Sequence, residues 1–376
     1  MLSNLNDYEI GKKGRITQPM YLPAGASHYE EISWEFAFKK IAAHLNALSS
    51  PDEAVFYTSG RTSNEAAFLY QLFVREFGTN NLPDCSNMCH EASGVAMIEQ
   101  IGSGKGSVLL EDFEQAEAIF IFGQNPGTNH PRMLGELRNA SKRGCRIVVF
   151  NPLRERGLER FSNPQSPKDM LTGSSTPIAS HYYQLKIGGD LAAVKGLIKA
   201  VLENGELDRE FIDRHTDGFE RLLEDIQAES WESIVDQSGL SKIMIEQAAD
   251  IYSTSKATIF CWGMGITQHQ RSVATIQMLM NCLLLKGNIG KPGAGPCPVR
   301  GHSNVQGDRT MGIYEKPSAE FLDRLGAEFN FQPPREHGLD VVASIEAMLA
   351  GKAKVFFAMG GNFAAATPDT HRTVSA

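Results

Sequence analysis

The chain has 376 residues, enough for two domains with sizeable cores, and carries a formal net charge of -8 with 42% hydrophobic residues. That acidic balance provides no broad positive field for nucleic acid, so an anionic ligand has to be held by local groups. No apolar run approaches the ~20 residues of a membrane span. The N-terminal stretch, with Gly11-Lys12-Lys13-Gly14-Arg15, lacks both the apolar core of a signal peptide and a twin arginine, which predicts a cytoplasmic protein without a membrane partner.

In chain order, the repeating unit is a strand that ends in a glycine or asparagine turn and leads into a helix. Ala54-Val55-Phe56-Tyr57 is a short apolar run closed by Thr58-Ser59-Gly60-Arg61. Thr62 with Glu65 reads as a capping box for a helix whose apolar face carries Leu69, Leu72 and Phe73. A polar stretch from Asp84 to Gly94 then precedes helical Val95 to Ile101. Ala118 to Phe122 is a continuous buried-strand run, followed by the turn Gly123 to Pro131 and a helix that ends in Lys142-Arg143-Gly144. Ile147 to Phe150 is the next strand. Tyr183 to Ile187 opens on Gly188-Gly189-Asp190 and a helix spaced by Leu191, Val194, Ile198 and Val201. Thr258 to Trp262 repeats the plan with Gly263-Met264-Gly265 and a helix through Met278 to Leu285, and Val355 to Ala358 starts it again with Met359-Gly360-Gly361-Asn362. Strands without polar alternation, interleaved with helices, predict an α/β fold with a parallel sheet covered on both faces. Ligands of such folds bind outside the carboxyl ends of the strands, where these turns lie.

Glycine in those turns lets the backbone bend and lets a ligand approach its N–H groups. Asn125, Asp190, Gln268 and Asn362 add side chains able to read amide or amine edges, or simply to cap the next helix. Several similar turns in one chain favour a large nucleotide-like ligand. Gly102-Ser103-Gly104-Lys105-Gly106-Ser107 fits neither the P-loop spacing nor the dinucleotide fingerprint and follows a helix, so it is expected to be a flexible connector. The glycine-rich run Gly287 to Gly295 likewise ends a helix in an irregular loop. Beyond it, Arg300 offers a guanidinium fork for a carboxylate or phosphate, or for a structural ion pair.

Cys85, Cys89, Cys145, Cys261, Cys282 and Cys297 are scattered without a C-x-x-C pair, which argues against a disulfide framework or a zinc finger. Cys89 lies just before the helical stretch. A thiolate there gains from the helix N-terminus and suits a soft-metal ligand or a nucleophile, while a small buried hydrophobe is the plainer alternative.

Seven segments, Gly14 to Met20, Phe56 to Ala67, Cys85 to Glu91, Asn125 to Pro131, Trp262 to Gln268, Gly287 to Pro292 and Pro298 to Gly307, occur in the order found in a known family. The chain resembles the molybdopterin oxidoreductases of the dimethyl sulfoxide reductase superfamily, closest to formate dehydrogenase alpha subunits and, among them, to the YdeP-like branch. The resemblance implies interleaved doubly wound domains II and III of such a catalytic subunit. It places Cys89 at the molybdenum or tungsten ligand, His90 at the histidine beside it, and Arg300 at the arginine that holds the substrate anion. Asn125, Gly188, Gly189, Asp190, Met264, Gln268, Gly360 and Asn362 match turns that contact the two molybdopterin guanine dinucleotides. Soft sulfur suits a metal already held by dithiolenes. The implied partners are a small anion such as formate and an electron carrier, with His90 as proton acceptor or electrostatic partner.

The cysteine quartet for a 4Fe-4S cluster precedes the matching part in the family, and no cysteine occurs before Cys85. The usual C-terminal domain lies beyond Ala376, so the chain is expected to be a fragment truncated at both ends. Thr128 and Asn151 stand where formate dehydrogenases often have aspartate, and Glu91 replaces a glycine after the Cys-His pair. The expected domains are an extension over residues 1–29, a discontinuous α/β domain of 30–85 with 301–376, and a second of 86–300. A non-redox nucleotide-binding domain with Cys89 structural is the alternative; a hydrolase with Cys89 as nucleophile and His90 as base ranks third, because adjacent loop residues usually diverge.

Overall fold

The apolar runs fold as strands of parallel sheets. In the computed structural model, which describes residues 2–376, the strands longer than two residues are β1 (Ala54–Thr58), β2 (Ala118–Phe122), β3 (Arg146–Phe150), β4 (His181–Tyr183), β5 (Thr258–Trp262), β6 (Gly295–Pro298) and β7 (Val355–Met359). The helices that frame the site are α1 (Trp34–Asn46), α2 (Asn64–Phe77), α3 (Glu91–Ile101), α4 (Met133–Arg143), α5 (Asp190–Asn204), α6 (Lys242–Thr254) and α7 (Ser272–Leu285). The chain divides into two units, Cys85–Val305 and a discontinuous one made of the residues up to Asp84 with Gln306–Ala376.

Within Cys85–Val305 the sheet order is β6-β5-β2-β3-β4, with every pairing parallel. The two-residue period of the strands sorts their side chains onto two faces. Phe120, Phe122, Val148, Phe150, Phe260 and Trp262 meet Met97 of α3, Leu197 of α5, Ala248 of α6 and Leu279 of α7. Ile119, Ile121, Ile147, Val149, Ile259 and Cys261 meet Leu134 and Leu137 of α4. Each fully buried Ile or Phe contributes about 1.5–3 kcal/mol, and both faces are covered as the sequence predicts. The chain runs outward from β2 through β3 to β4, then returns to β5 on the other side of β2. Strand order therefore reverses between β2 and β5, where a doubly wound sheet opens its ligand crevice. There the two turns touch: Gly265 N–H donates to the Gly123 carbonyl at 3.0 Å, and a Cβ on Gly265 would lie 2.5 Å from that oxygen.

Four local expectations are corrected. The helix N-cap is Ser63, whose hydroxyl accepts from Ala66 N–H, while Thr62 donates to the Ser59 carbonyl; the first helical turn begins one residue later than the capping-box reading requires. β4 covers His181–Tyr183 instead of running to Ile187, because β3, its only partner among the described residues, ends at Phe150 opposite Tyr183. Gly295, expected to end an irregular loop, instead opens strand β6, Gly295–Pro298. Proline is compatible with an edge strand: Pro296 turns its carbonyl outward to Ser107 N–H, while Val299 N–H, on the other side, donates to Trp262. The bond from Ser107 to Pro296, with one from Arg300 to the Gly104 carbonyl, anchors the supposed flexible connector.

The discontinuous unit pairs β1 with β7 in parallel register. Residues Asn81 to Pro83 run beside β1, bonding Phe56 N–H and Thr58 N–H. Its core gathers Leu45 of α1, Phe56, Ala67, Tyr70 and Val74 of α2, and Ile313. β1 is fully buried, but β7 alternates half-buried and exposed residues, so the expectation of strands covered on both faces fails for β7. Buried Arg75 ties α2 to the returning chain, donating to Asn80, Gln71 and the carbonyls of Gly312 and Tyr314. No helix among the described residues is long and apolar enough to cross a membrane.

Candidate functional site

Cys85–Met88 forms one 3-10 turn, and α3 starts just beyond it with His90 as N-cap. Cys89 sits between them at 5% exposure. Its N–H donates to the Ser86 carbonyl and its own carbonyl accepts from the Thr267 hydroxyl. Gln268 Nε2 donates to the Met88 carbonyl at 2.9 Å. The segment leaving β5 at the sheet reversal thus grips the loop that carries the thiol.

His90 is 1% exposed, and both ring nitrogens are engaged. Nε2 lies 3.1 Å from the Val299 carbonyl, which can only accept, so the proton is on Nε2. Nδ1 is then the acceptor for the Ser93 hydroxyl at 2.9 Å, and Ser93 Oγ in turn accepts from Trp262 Nε1–H at 2.9 Å. A directed chain of donors runs from Trp262 through Ser93 and His90 to Val299. Burial first, and then the nearby Arg300 charge, press the His90 pKa down to about 4, so the ring is neutral at pH 7. Replacing Ser93 by Ala strands the buried Trp262 N–H and His90 Nδ1 at about 1–3 kcal/mol each. We expect Ser93→Ala to lose about 2–4 kcal/mol in urea unfolding and Ser93→Thr, which keeps the hydroxyl, to lose much less.

Arg300 follows Val299 at the end of β6. His130 Nε2–H donates to the Arg300 carbonyl at 2.8 Å, so two histidines hold consecutive carbonyls, those of Val299 and Arg300. The Arg300 guanidinium donates through Nη2 to Gly104 at 3.0 Å. The Met264 methyl approaches Gly301 to 3.7 Å of where a Cβ would stand. Cys89, His90, Met264, Gln268 and Arg300 are therefore brought together at the reversal of the sheet.

A cleft of about 200 Å³ opens beside this cluster, lined by Gly188, Asp190, Ile266, His269, Gln270, Arg271 and Thr275. Gly188 has φ +79° with open space where a Cβ would be, whereas a Cβ on Gly189 would collide with the Gln237 carbonyl at 2.7 Å. Gly188 thus faces the cleft, and Gly189 serves packing. Asp190 is not a cap: Gly189 holds that position, and Asp190 is the first helical residue. Asp190 is 7% exposed, with Oδ1 buried and unpartnered among the described residues. Burial raises its pKa from 3.8 to about 6, opposed more weakly by His269. A carboxyl with a raised folded pKa holds its proton better in the folded state, so stability is greatest below pH 4 and falls as pH rises from about 4 to 6. For the ligand-free protein we expect a loss on the order of 3 kcal/mol over that window, absent in Asp190→Asn, measured as urea midpoints against pH.

The remaining turn residues act as caps. Asn125 Oδ1 accepts from Thr128 N–H at 3.2 Å and its amide donates to Glu155 at 2.7 Å. In the discontinuous unit, Gly360 has φ +68° at the carboxyl end of β7, and Asn362 Oδ1 accepts from Ala365 N–H at 3.3 Å. Sequence reasoning missed Ser93, His130, Thr267 and the side-chain role of Trp262. His130 lies inside the segment Asn125 to Pro131 already singled out, and Trp262 and Thr267 inside Trp262 to Gln268, a usable signal; Ser93 looks like an ordinary helix residue.

A family model described as molybdopterin oxidoreductase matches residues 15–376. The chain belongs to the molybdopterin oxidoreductase family. It is similar to the protein YdeP of Escherichia coli K12, 53% identical over 373 residues that cover 96% of this chain and 49% of YdeP. An uncharacterized oxidoreductase of Mycobacterium tuberculosis H37Rv is 52% identical over 381 residues, covering 100% of this chain and 49% of its own length. Formate dehydrogenase H of Escherichia coli K12 is 32% identical over 313 residues, covering 82% and 41%. The chain thus spans about half the length of the curated relatives it matches. Acetylene hydratase from Pelobacter acetylenicus superposes with a TM-score of 0.71 at 18% identity, covering 96% of this chain and 51% of that one, a likeness of fold alone.

The family implies a molybdopterin cofactor, and two observations fit it. The unpartnered Asp190 oxygen and open Gly188 backbone face a cleft that also presents Arg271, an acceptor and a cation for a ligand with both N–H and anionic groups. Among the described residues, no group of three or more His, Cys, Asp or Glu could hold a metal, so a metal held here would need ligands from a bound group, as dithiolene sulfurs would provide.

Proposed function

We propose that this chain is the core of a molybdenum-dependent oxidoreductase that oxidises a small anion such as formate at a centre ligated by Cys89. The observation that carries the reading is the convergence of Cys89, His90 and Arg300 at the reversal of a doubly wound sheet. The similarity to formate dehydrogenase H supports formate as the anion. When bound, the bis(molybdopterin guanine dinucleotide) metal centre supplies the acceptor for the two electrons released as formate becomes carbon dioxide and a proton. Asp190 would accept from the N–H edge of a guanine, and Arg271 would pair with phosphate charge. The turns around Asn125, Met264 and Gln268 would add further contacts to the cofactor.

Arg300 orients the carboxylate of the substrate by a bidentate ion pair. His90, neutral and donating to Val299, contributes by fixing the Cys89 loop against the Arg300 segment; as proton acceptor it would first have to release one of its two bonds. Electrons pass on to a separate carrier in the cytoplasm. The test is formate-driven reduction of an electron-accepting dye by full-length, cofactor-loaded protein. Formate-dependent turnover that falls at least tenfold in Arg300→Lys, which keeps the charge but not the fork, is expected; metal-replete protein inert to formate overturns the formate assignment.

A further inference from the structure

Cys261 of β5 and Cys297 of β6 stand directly opposite one another in parallel register. Their side chains leave the sheet on the same face, the one that carries Ile119, Ile121 and Ile147. Neighbouring strands lie about 4.8 Å apart, inside the ~4.4–6.8 Å range of Cα separations that a disulfide spans. The two residues differ in access, since Cys261 is fully buried and Cys297 is half-buried. Contact with the Cys297 thiol, together with burial, pushes the Cys261 thiol well above its usual range. β6 is the edge strand and can move toward β5 without breaking a second ladder.

We propose that Cys261 and Cys297 form a redox-active dithiol that a peroxide oxidises to a cross-strand disulfide. The Cys297 sulfur, as thiolate, attacks a peroxide oxygen; the O–O bond breaks, and the departing hydroxide takes a proton to leave as water, giving a sulfenic acid. The Cys261 sulfur then attacks the Cys297 sulfur; the S–S bond forms, the S–O bond breaks, and the departing oxygen takes the Cys261 proton to leave as a second water. The two thiols lose two electrons and peroxide gains them. A disulfide holds its β carbons about 3.8 Å apart, closer than the ~4.8 Å spacing of neighbouring strands, so forming it puts the edge under tension toward β5. A bond formed under that tension is readily reduced, which is the character of regulatory disulfides. Because β6 leads through Val299 into Arg300, the movement reaches the segment that His90 and His130 hold. The dithiol itself does not depend on the assignment of formate or of the metal.

The test uses the full-length protein, reduced, freed of reductant, exposed to hydrogen peroxide, then denatured in iodoacetamide and digested for mass spectrometry. The expected product is a peptide pair joined through Cys261 and Cys297, lighter by two hydrogens than the separate peptides, lost on treatment with dithiothreitol, and absent from Cys297→Ser. Recovery of both cysteines alkylated, of Cys297 as sulfinic acid, or of Cys261 joined to buried Cys145 overturns the proposal. Wild-type mapping needs no variant, and Cys297→Ser alters only a half-buried position.

Discussion

Replacing Cys89 by alanine in the full-length protein is expected to abolish metal-dependent turnover while leaving the fold in place. The loop around Cys89 is held by backbone bonds to Ser86 and Thr267 and by Gln268 on Met88, none of which needs the sulfur. Removing one sulfur atom from a buried site costs only about 1 kcal/mol. The functional loss should exceed the 10–100-fold typical of residues that merely support a ligand. Cys89→Ala that keeps its unfolding midpoint but loses metal and activity together supports the ligand role; full metal-dependent activity in the variant contradicts it.

The largest stability effect is expected at Arg75. Its side chain is 0% exposed and donates to Asn80, Gln71, Gly312 and Tyr314, while stacking on the Phe321 ring at 5.3 Å. Burial lowers its pKa to about 10, which leaves it charged at pH 7. Arg75→Ala removes a donor that serves four acceptors and the link between α2 and the chain that returns at Gly312. With about 1–3 kcal/mol for each acceptor left without a partner, the loss should reach at least about 3 kcal/mol. Arg75→Lys recovers little, because an ammonium cannot span the same fork. Chemical denaturation of both variants checks this, and a loss below 1 kcal/mol in Arg75→Ala would show that water replaces the guanidinium.

The legible part of this fold was its apolar periodicity. Runs such as Ala118 to Phe122 and Thr258 to Trp262 have no polar alternation, so burial on both faces and parallel pairing follow from composition alone. β6 escaped notice because Gly295-Pro296-Cys297-Pro298 has the composition of a loop, and only its place at the sheet edge makes two prolines compatible with a strand. The strand expected at Tyr183 to Ile187 ends early, because its extent is decided by where β3 stops. Cys89, Arg300 and Asp190 were visible through their local sequence and through the ordered segments of a family. The relay from Trp262 through Ser93 to His90 was not, because it joins residues 169 positions apart. The pairing of Cys261 with Cys297 likewise depends on strand register, which no local pattern encodes.

The most direct measurement is metal and nucleotide analysis of the full-length protein containing this chain, produced in a host that makes the pterin cofactor. The account predicts about one molybdenum or tungsten with two guanine nucleotides per chain, the metal lost in Cys89→Ala and the nucleotide weakened in Asp190→Ala. Nucleotide without metal, or neither, would contradict it and leave Cys89 a buried packing residue in a nucleotide-binding fold.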